Sequence, residues 1–463
     1  MMETELAIVI LAAGLGTRMK SAKAKVLHRA GGKTLIEHVV DAALQLTPPE
    51  RIFVVVGHQA DQVRQTLSSR GVGFIEQREQ KGTGHALMAG REALSPLPGL
   101  LLALYGDCPL ISAGTLRRLI GQHRESAAAA TVITTLLEDP TGYGRVLKDA
   151  GGGVLAIVEQ KAATPEQLAV KEINSGIYCF ASAEFWAHVG RIEPNNPARE
   201  YYLTDIVEIL GRASRAVHAM RIEDPAEVLG INNRIELAQV DAMFRARKVE
   251  ELMLAGVTVE KPETVTIDSG VLIGMDTVIE PFTRILGSTV IGEECAIGAC
   301  CIVQDSRLGR GVEVKPFSSI FSSTIEDKAQ IGPYARLRAG AHVETLAHVG
   351  NFVELKKTRL GAGSKAMHLA YLGDSDIGQR VNIGAGTITC NYDGALKHAT
   401  RIGDGAFVGS NSTLVAPIEI GAGAYLGAGS VITQPVPPDA LGIGRARQVN
   451  KEDWARRRRK ASL

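Results

Sequence analysis

The hydrophobic pattern of the first half of the chain alternates between two kinds of segment. Short apolar runs end in Gly, Asp or a polar turn, and they are LAIVILAAG, RIFVVVGH, GLLLALYGD, ATVITTLL and GIYCFA. Amphipathic stretches such as LIEHVVDAALQL and ADQVRQTLSS lie between them. Strands that alternate with helices at this spacing indicate βαβ units and a mostly parallel sheet. We therefore expect an α/β Rossmann-like domain over residues 1–230, with its ligand beyond the carboxyl ends of the strands.

The second half of the chain has a different period. Residues 231–255 carry apolar positions at helical spacing without Gly or Pro, which predicts one long linker helix. From about residue 265, aliphatic–glycine pairs recur at multiples of six residues, from Ile273-Gly274 to Leu426-Gly427. A hexapeptide β-helix produces this period, because each aliphatic side chain fills the interior and the small residue after it allows a corner. We expect a left-handed parallel β-helix over residues 256–463, with a projecting loop where the spacing breaks between Gly384 and Gly403.

Composition narrows the class of protein. The net charge of +1 gives no global field for nucleic acid, and we interpret the basic tail RARRRRKASL as a solvated end. No apolar run is long enough to span a bilayer, and the N-terminus lacks a secretory pattern. The 6 cysteines form no CxxC pair, which is typical of reduced thiols. We therefore expect a cytoplasmic protein with no nucleic-acid partner.

The stretch VILAAGLGTRMKSAKAK carries the first candidate chemistry. Met19 stands where a dinucleotide-binding GxGxxG loop has its third glycine, and no GKS or GKT of a Walker loop follows. What remains is a loop of backbone amides with Arg18 and Lys25 available to neutralise a triphosphate. A tight turn with surface lysines is the alternative interpretation of this stretch.

Four further turns favour a nucleotide site. EQREQKGTGHAL is a second Gly/Thr-rich turn that enters a helix and suits contacts to a base or phosphate. LYGDCPL places Asp107 just past an apolar strand, where a Mg²⁺ ligand is expected, and LGINNR offers Asn232 as a second oxygen ligand. TGYGRV and EINSGIY add glycine turns, and Asn174 in the latter offers an amide for sugar hydroxyls.

The β-helical half contains more polar chemistry than a scaffold needs. His368 occurs among RLRAGAHV, NFVELKKTRLGAGSKAMHLAYLGD, VNIGAGTITCNYDG and VGSNSTLVAP, segments rich in cations, amides and aromatic residues. Cations suit a sugar phosphate, and an imidazole near neutrality can take a proton from an attacking ammonium group. These segments therefore favour a second catalytic site over a purely structural prism.

The motifs together resemble a known family. LAAGLGTRM, KVLH, QKGTGHA, YGDCPL, TGYGR, VEQK, EINSGIY, EYYLTD and GINNR are similar to those of sugar-nucleotide pyrophosphorylases. From about residue 6 to 450 the chain resembles the bifunctional N-acetylglucosamine-1-phosphate uridyltransferases/glucosamine-1-phosphate N-acetyltransferases. The resemblance implies a cytoplasmic homotrimer that makes UDP-N-acetylglucosamine, a precursor for peptidoglycan and lipopolysaccharide.

The resemblance also implies roles in the first half. The sugar 1-phosphate attacks the α-phosphorus of UTP, with Mg²⁺ bound by Asp107 and Asn232 and with Arg18 and Lys25 on the phosphates. The residues that it places around the nucleotide are Leu11, Ala12, Ala13, Gly14, Gln77, Gly82, Thr83, Tyr105 and Gly106. Those that it places around N-acetylglucosamine are Gly144, Glu159 and Asn174.

Roles in the second half follow from the same resemblance. His368 is the general base for the 2-amino group of glucosamine-1-phosphate, and Asn391 helps to stabilise the oxyanion of acetyl transfer. The amino-sugar phosphate is bound by Arg338, Lys356, Tyr371 and Asn382. Acetyl-CoA, the co-substrate, lies along Ala385, Asn391, Tyr392, Ser410, Ala428 and Arg445. The family shares this site between the subunits of a trimer.

Two departures and two alternatives remain at this stage. Ala24 stands where the family has proline, and NNPAR at residues 195–199 replaces a segment that carries Gln-Gly in the family. One alternative is a nucleotidyltransferase of single activity with a structural β-helix. The other is a non-catalytic module that binds a sugar nucleotide, although neither needs His368 and the Asp107–Asn232 pair together.

Overall fold

The computed structural model describes residues 5–14, 16–196 and 198–460. These residues form two compact units, one that ends at Phe244 and one that begins at Arg245. The division falls inside the long helix Arg234–Leu254, which lies within the expected range 231–255. In the described part of the chain, no helix is long and apolar enough to cross a membrane.

A nine-stranded sheet forms the centre of the first unit. Its main path runs in the order Val217–Arg221, Ala130–Leu136, Glu172–Ala181, Leu100–Tyr105, Leu6–Leu11, Ile52–Val56 and Gly73–Glu76. Arg145–Lys148 and Val154–Val158 extend it as a hairpin beside Glu172–Ala181. A separate small hairpin is formed by Arg29–Ala30 and Lys33–Thr34. The central strands are parallel, as the sequence predicts.

Within the main path of the sheet, one strand departs from the parallel arrangement. Glu172–Ala181 pairs antiparallel with both of its neighbours in the main path. A parallel return needs a long crossover, usually a helix. The chain between Leu136 and Glu172 instead holds the hairpin and the one-turn helix Pro165–Leu168, so the strand returns in the opposite direction.

Helices cover both faces of this sheet. All six residues of Leu6–Leu11 are buried, and they contribute alternately to two separate hydrophobic clusters. This is expected of a strand with helices on each side. The helices of the unit are Leu35–Ala43, Ala60–Thr66, Thr83–Ala89, Arg91–Leu94, Ala113–Ser126, Pro165–Leu168, Ser182–His188, Asp205–Arg212 and the start of Arg234–Leu254.

The second unit is a parallel β-helix with three sheets. Its first sheet stacks Thr258–Val259, Val278–Ile279, Ala296–Ile297, Glu313–Val314, Gln330–Ile331, His348–Asn351, Lys365–His368, Asn382–Ile383, Phe407–Val408, Tyr425–Leu426 and Leu441–Gly442. The second stacks Thr266–Ile267, Arg284–Leu286, Ile302–Gln304, Ser319–Phe321, Arg336–Leu337, Glu354–Lys356, Tyr371–Gly373, Ile388–Cys390, Thr413–Val415 and Val431–Ile432. The third stacks Leu272–Ile273, Val290–Ile291, Arg307–Leu308, Thr324–Ile325, His342–Val343, Arg359–Leu360, Ser375–Ile377, Thr400–Ile402 and Ile418–Ile420. A short helix, Trp454–Lys460, follows the last strand.

The aliphatic residue of each repeat points inward, as the six-residue period predicts. Ile331, Val349, Leu355 and Leu372 belong to one continuous buried cluster that runs through the coils. The expected projecting loop is present as well, because residues 391–399 separate Ile388–Cys390 from Thr400–Ile402. Within that loop the Asp393 carboxylate accepts hydrogen bonds from two backbone amides and from His398, which gives the loop a defined shape.

Candidate active sites

The first candidate site is a cleft at the carboxyl end of Leu6–Leu11. Its volume is about 420 Å³. The backbone passes from the strand into the glycine-rich loop here, and the Gly106 amide donates to the Leu11 carbonyl across the sheet. The lining residues are Leu11, Ala12, Ala13, Gly14, Gly16, Thr17, Lys25, Val26, Gln77, Gln80, Gly82, Thr83, Ala86, Tyr105, Asp107 and Glu200.

The proposed metal ligands converge on one cation. Lys25 Nζ forms an ion pair with Asp107 and lies 3.4 Å from Asn232 Oδ1. Arg18 Nη2 donates to the same Asn232 oxygen at 2.8 Å. Lys25 and Asp107 are 82 positions apart in the sequence, and Arg18 and Asn232 are 214 apart, yet the four side chains meet at one place. A carboxylate oxygen and an amide oxygen face the two cations that the sequence assigns to phosphates.

Local hydrogen bonds hold Asn232 in this orientation. Its Nδ2 donates to the Gly230 carbonyl at 3.1 Å, which turns its oxygen toward Lys25 and Arg18. Its backbone amide donates to Glu236 Oε2 at 2.6 Å, at the start of the long helix. The Ile231 amide donates to the Asp107 carbonyl at 3.0 Å, which ties the two candidate ligands together through the backbone.

The donor set fits Mg²⁺. No cluster of three His, Cys, Asp or Glu side chains with metal-ligand geometry occurs in the described residues. Mg²⁺ is commonly held by one or two carboxylates together with substrate phosphates and water. One carboxylate and one amide oxygen, directed at a common cation, match that requirement.

The residues expected to contact the base lie at or near the start of helix Thr83–Ala89. Gly82 has φ of 103°, and a Cβ there would lie 2.6 Å from the Tyr201 carbonyl oxygen, so only glycine fits. Gln77 is buried, and its Nε2 donates to the Gly82 carbonyl at 3.1 Å. Thr83 Oγ1 accepts from the Leu203 amide. The turn is therefore packed closely against EYYLTD, residues 200–205.

The three candidate sugar ligands are neighbours. The backbone amide of Asn174 donates to the Gly144 carbonyl at 2.9 Å. A Cβ on Gly144 would lie 3.5 Å from Glu159 Oε1. The Asn174 side-chain oxygen accepts from Tyr178 and from the Gly176 amide, which leaves its NH₂ group available to a ligand. Burial and the Asp205 carboxylate raise the pKa of Glu159 above its ordinary value.

Two tyrosines border the cleft. Burial raises the pKa of Tyr105 well above its usual range, and its ring packs so closely on Gly176 that a Cβ there would lie 2.4 Å from Cε2. Burial, followed by electrostatic interactions with Cys108, Glu236 and Asp107, raises the pKa of Tyr143 to about 12. Both phenols are therefore neutral hydrogen-bonding groups at physiological pH.

The second candidate site is centred on His368, at the end of its strand in the first β-helix sheet. His368 Nδ1 lies 2.5 Å from Asn351 Oδ1, its register partner in the preceding coil. An amide oxygen only accepts, so Nδ1 carries the proton in the neutral ring. Nε2 then has a free lone pair, as a general base requires.

Small residues form a column above His368. Asn351, His368, Ala385, Ser410 and Ala428 occupy equivalent corner positions, as the backbone hydrogen bonds of the residues that follow them show. The amides of Leu369, Gly386, Asn411 and Gly429 bond to the carbonyls of Asn351, Leu369, Ala385 and Ser410. Arg445 follows, with its Cδ 3.8 Å from the site of a Cβ on Gly429. Four of the six proposed acetyl-CoA contacts therefore lie in one line from His368.

Two lysines, Lys356 on the second sheet and Lys397 on the projecting loop, form a cationic group. The Lys397 side chain contacts Lys356, and this like charge lowers the pKa of Lys397. Asn391 donates to Asp374, and a Cβ on Gly373 would lie 2.5 Å from the Tyr371 hydroxyl and 2.7 Å from Asn391 Nδ2. Lys356, Tyr371 and Asn391 are therefore brought together around the corner that ends at Asp374.

Arg338 lies beside Lys356 in the register of the second sheet, whereas two other proposed ligands lie outside this cationic group. Arg338 Nη1 donates to Glu354 at 2.9 Å. Asn382 is on the first sheet, where it pairs with Lys365 and Phe407. Tyr392 is exposed on the projecting loop, where its hydroxyl donates to the Gly394 carbonyl. A single chain thus distributes the proposed amino-sugar ligands over two sheets.

Four site residues lack a sequence signal or were missed. Gln80 and Glu200 line the first cleft, and the Asn196 side chain holds Glu200 by donating to its backbone carbonyl and accepting from its backbone amide. Asn351 orients His368, and the β-helix register would have found it, because it occupies the equivalent position one coil earlier. Lys397 reaches Lys356 only through the projecting loop, whose shape no periodicity predicts.

The structure shows the backbone conformation at both places where the sequence departs from the family pattern. Ala24 is buried with φ of −54°, a value that proline also adopts, and its amide donates to Gln59 Oε1 at 2.6 Å. Arg199, in the segment that carries Gln-Gly in the family, has φ of 54°. The chain therefore keeps a left-handed turn here without glycine. Residue 197 lies outside the described residues.

Comparisons with known proteins define the class. Residues 8–192 match the MobA-like NTP transferase domain, and residues 399–434 match the bacterial transferase hexapeptide family of six repeats. The chain is therefore a two-domain transferase, a nucleotidyltransferase unit followed by a hexapeptide acetyltransferase unit.

Full-length relatives give the family. The chain is 64% identical over 459 residues to the bifunctional protein GlmU of Solibacter usitatus, which covers 99% of this chain and 98% of the relative. It is 53% identical to that of Koribacter versatilis, over 98% and 97% of the two chains. It is 49% identical to that of Anaeromyxobacter sp., over 98% and 93%. The chain belongs to the GlmU family of bifunctional enzymes, as the resemblance implies.

Proposed function

We propose that the protein makes UDP-N-acetylglucosamine in two steps at two sites. The second unit transfers an acetyl group from acetyl-CoA to glucosamine-1-phosphate. The first unit then transfers a uridyl group from UTP to the resulting N-acetylglucosamine-1-phosphate. The observation that carries this proposal is that each unit contains its own set of candidate groups. Asp107, Asn232, Arg18 and Lys25 converge in the first unit, and His368 begins the column of small corner residues in the second.

In uridyl transfer, a phosphate oxygen of the sugar 1-phosphate forms a bond to the α-phosphorus of UTP. The bond to the bridging oxygen breaks, and pyrophosphate leaves. Arg18 and Lys25 stabilise the negative charge on the phosphates, and Asp107 with Asn232 would hold Mg²⁺, which supplies further charge neutralisation. Positioning and electrostatic stabilisation suffice for such a transfer, so no protein nucleophile is required.

In acetyl transfer, the 2-amino nitrogen of the sugar forms a bond to the thioester carbonyl carbon. His368 Nε2 accepts the proton from that nitrogen, while Nδ1 stays bonded to Asn351. Collapse of the tetrahedral intermediate breaks the carbon–sulfur bond and releases coenzyme A. The Asn391 amide stabilises the oxyanion, and Lys356, Lys397 and Tyr371 bind the sugar phosphate.

The same proposal includes a homotrimer located in the cytoplasm, where UTP and acetyl-CoA are available. The amino-sugar ligands are divided between two sheets of one β-helix, which favours a site completed by a neighbouring copy. A column of exposed apolar side chains also runs along one corner. Its stacked members are Phe317, Tyr334 and Phe352, with ring centroids 5.0 and 5.3 Å apart.

The test supplies the purified full-length protein with glucosamine-1-phosphate, acetyl-CoA, UTP and Mg²⁺, and then omits each substrate in turn. We expect thiol release without UTP, and pyrophosphate release from UTP with N-acetylglucosamine-1-phosphate. His368→Ala is expected to abolish the first reaction and leave the second, whereas Asp107→Ala does the reverse, so each variant controls for the other. Absence of thiol release from the unsubstituted protein would leave a nucleotidyltransferase with a structural β-helix.

A further inference from the structure

A histidine beside the base-contacting glutamine has no role in the chemistry described so far. His85 lies in the first turn of helix Thr83–Ala89, half-buried next to Tyr201. Its Nδ1 lies 3.1 Å from Gln77 Nε2. The same Nε2 lies 3.1 Å from the Gly82 carbonyl oxygen. The Gln77 amide nitrogen therefore faces two partners at the wall of the nucleotide cleft.

These partners fix which way round the amide is. A backbone carbonyl oxygen can only accept, so the atom that faces Gly82 must be the NH₂ group of Gln77. Its second hydrogen then points at His85 Nδ1, which must accept it with a lone pair. His85 is consequently neutral in this state, with its proton on Nε2. Both hydrogens of the amide are used inside the protein.

The Gln77 carbonyl oxygen is left for the ligand. In the described part of the chain, Gln77 Oε1 has no hydrogen-bond partner, although Gln77 itself is 4% exposed and lines the cleft. An oxygen fixed in this way accepts from an N–H donor. Uracil offers such a donor at N3, whereas cytosine has a lone pair at that position. Two facing acceptors repel each other, so the fixed amide discriminates between the two bases.

We propose that His85 is a positioning residue that locks the Gln77 amide in the orientation that selects uracil over cytosine. This inference rests on the proposed uridyl transfer and on the assignment of Gln77 to the base. A buried amide that loses one of its two acceptors pays part of the cost of an unsatisfied donor. Without His85, only the Gly82 carbonyl opposes rotation of the amide, so the orientation that presents its NH₂ group to cytosine N3 becomes less costly.

The experiment measures kcat/KM for UTP, CTP and dTTP with N-acetylglucosamine-1-phosphate. In His85→Leu, which keeps a similar volume without an acceptor, we expect the UTP:CTP ratio to fall about tenfold. The loss for UTP is expected in KM rather than kcat, because the base contact is the same in the ground and transition states. Thymine shares the N3–H donor, so the UTP:dTTP ratio is expected to stay unchanged.

His85→Asn is the matched control, because Oδ1 of Asn takes the place of Nδ1 as an acceptor. It is expected to restore the UTP:CTP ratio to within about threefold of the original value. An unchanged ratio in His85→Leu, or no restoration in His85→Asn, overturns the inference. If His85→Leu is inactive with every nucleotide, His85→Ala replaces it with the same expectation. Failure of the original protein to use UTP at all would instead contradict the proposed function.

Discussion

At the scale of single residues, the first site is organised by charges that compensate each other before any substrate binds. Lys25 pairs with Asp107 and contacts Asn232, while Arg18 donates to Asn232. A carboxylate beside a cation is stabilised in its charged form. A metal ion held by the same two oxygens, as proposed, would compete with Lys25 and would release its ammonium group toward the nucleotide phosphates.

This arrangement predicts how metal affinity responds to Lys25. In the nucleotide-free protein, Lys25→Met is expected to bind Mn²⁺ about ten times more tightly, equivalent to ~1.4 kcal/mol, because the competing ammonium is removed. The measurement is a titration of free Mn²⁺ by electron paramagnetic resonance. Lys23→Met removes the same charge from an exposed neighbour, so an equal gain in that control would contradict the specific displacement.

At the scale of the element, the β-helix depends on close contact between successive coils. A Cβ on Gly350 would lie 1.9 Å from the Met367 carbonyl oxygen, and one on Gly361 would lie 2.3 Å from the Gly378 carbonyl oxygen. The neighbouring coil therefore leaves no room for a side chain at these positions, and this contact requires glycine there. Gly350 also directly precedes Asn351, whose side chain contacts His368, so the close packing of this coil helps to position the proposed general base.

A substitution at Gly350 tests this dependence. Gly350→Ala is expected to lower the free energy of unfolding of the second unit by about 3 kcal/mol, because backbone atoms cannot move aside without separating the coils. Urea unfolding followed by hydrogen exchange of amides in the β-helix measures the change. The control is Gly270→Ala, where the nearest atom to the new Cβ is 3.4 Å away. Similar losses in both variants would show that the close contact is not the cause.

At the scale of the whole molecule, the two units keep separate cores and separate candidate sites. The residues proposed for uridyl transfer all precede Phe244, and those proposed for acetyl transfer all follow Arg245. The exposed fraction of Phe317, Tyr334 and Phe352 is 50%, 48% and 56%, a contiguous apolar strip on a protein of nearly neutral charge. Exposed apolar strips of this kind are typical of interaction surfaces, and the proposed homotrimer would place a second copy against this one.

The homotrimer is tested on this strip. Tyr334→Lys is expected to convert the assembly into smaller species in analytical ultracentrifugation, because a buried interface would then hold an unpaired charge. Acetyl transfer is expected to fall at least tenfold with assembly, while uridyl transfer is retained. Leu272→Lys changes an equally exposed apolar residue on the third sheet and serves as the control. A Tyr334→Lys protein that assembles normally would contradict the proposed interface.

The sequence by itself determined the features that depend on local order. Alternating apolar runs determined the strands of the first unit, and a six-residue period determined the inward aliphatic column of the second, because each depends only on the repeat of side-chain direction. The motifs around Asp107 and His368 also marked these two as candidate site residues from their neighbours in the chain. The antiparallel direction of Glu172–Ala181 was not, because it depends on a missing crossover helix.

Only the tertiary structure decided which distant groups face each other. The bonds from Gln77 to His85 and from Arg18 to Asn232, and the Lys397–Lys356 contact, join elements whose relative position no periodicity encodes. Asn351 became visible as the partner of His368 once the coil register was known. Hydrogen bonds and charge pairs act over a few ångströms in space, so their partners are fixed by packing rather than by spacing in the sequence.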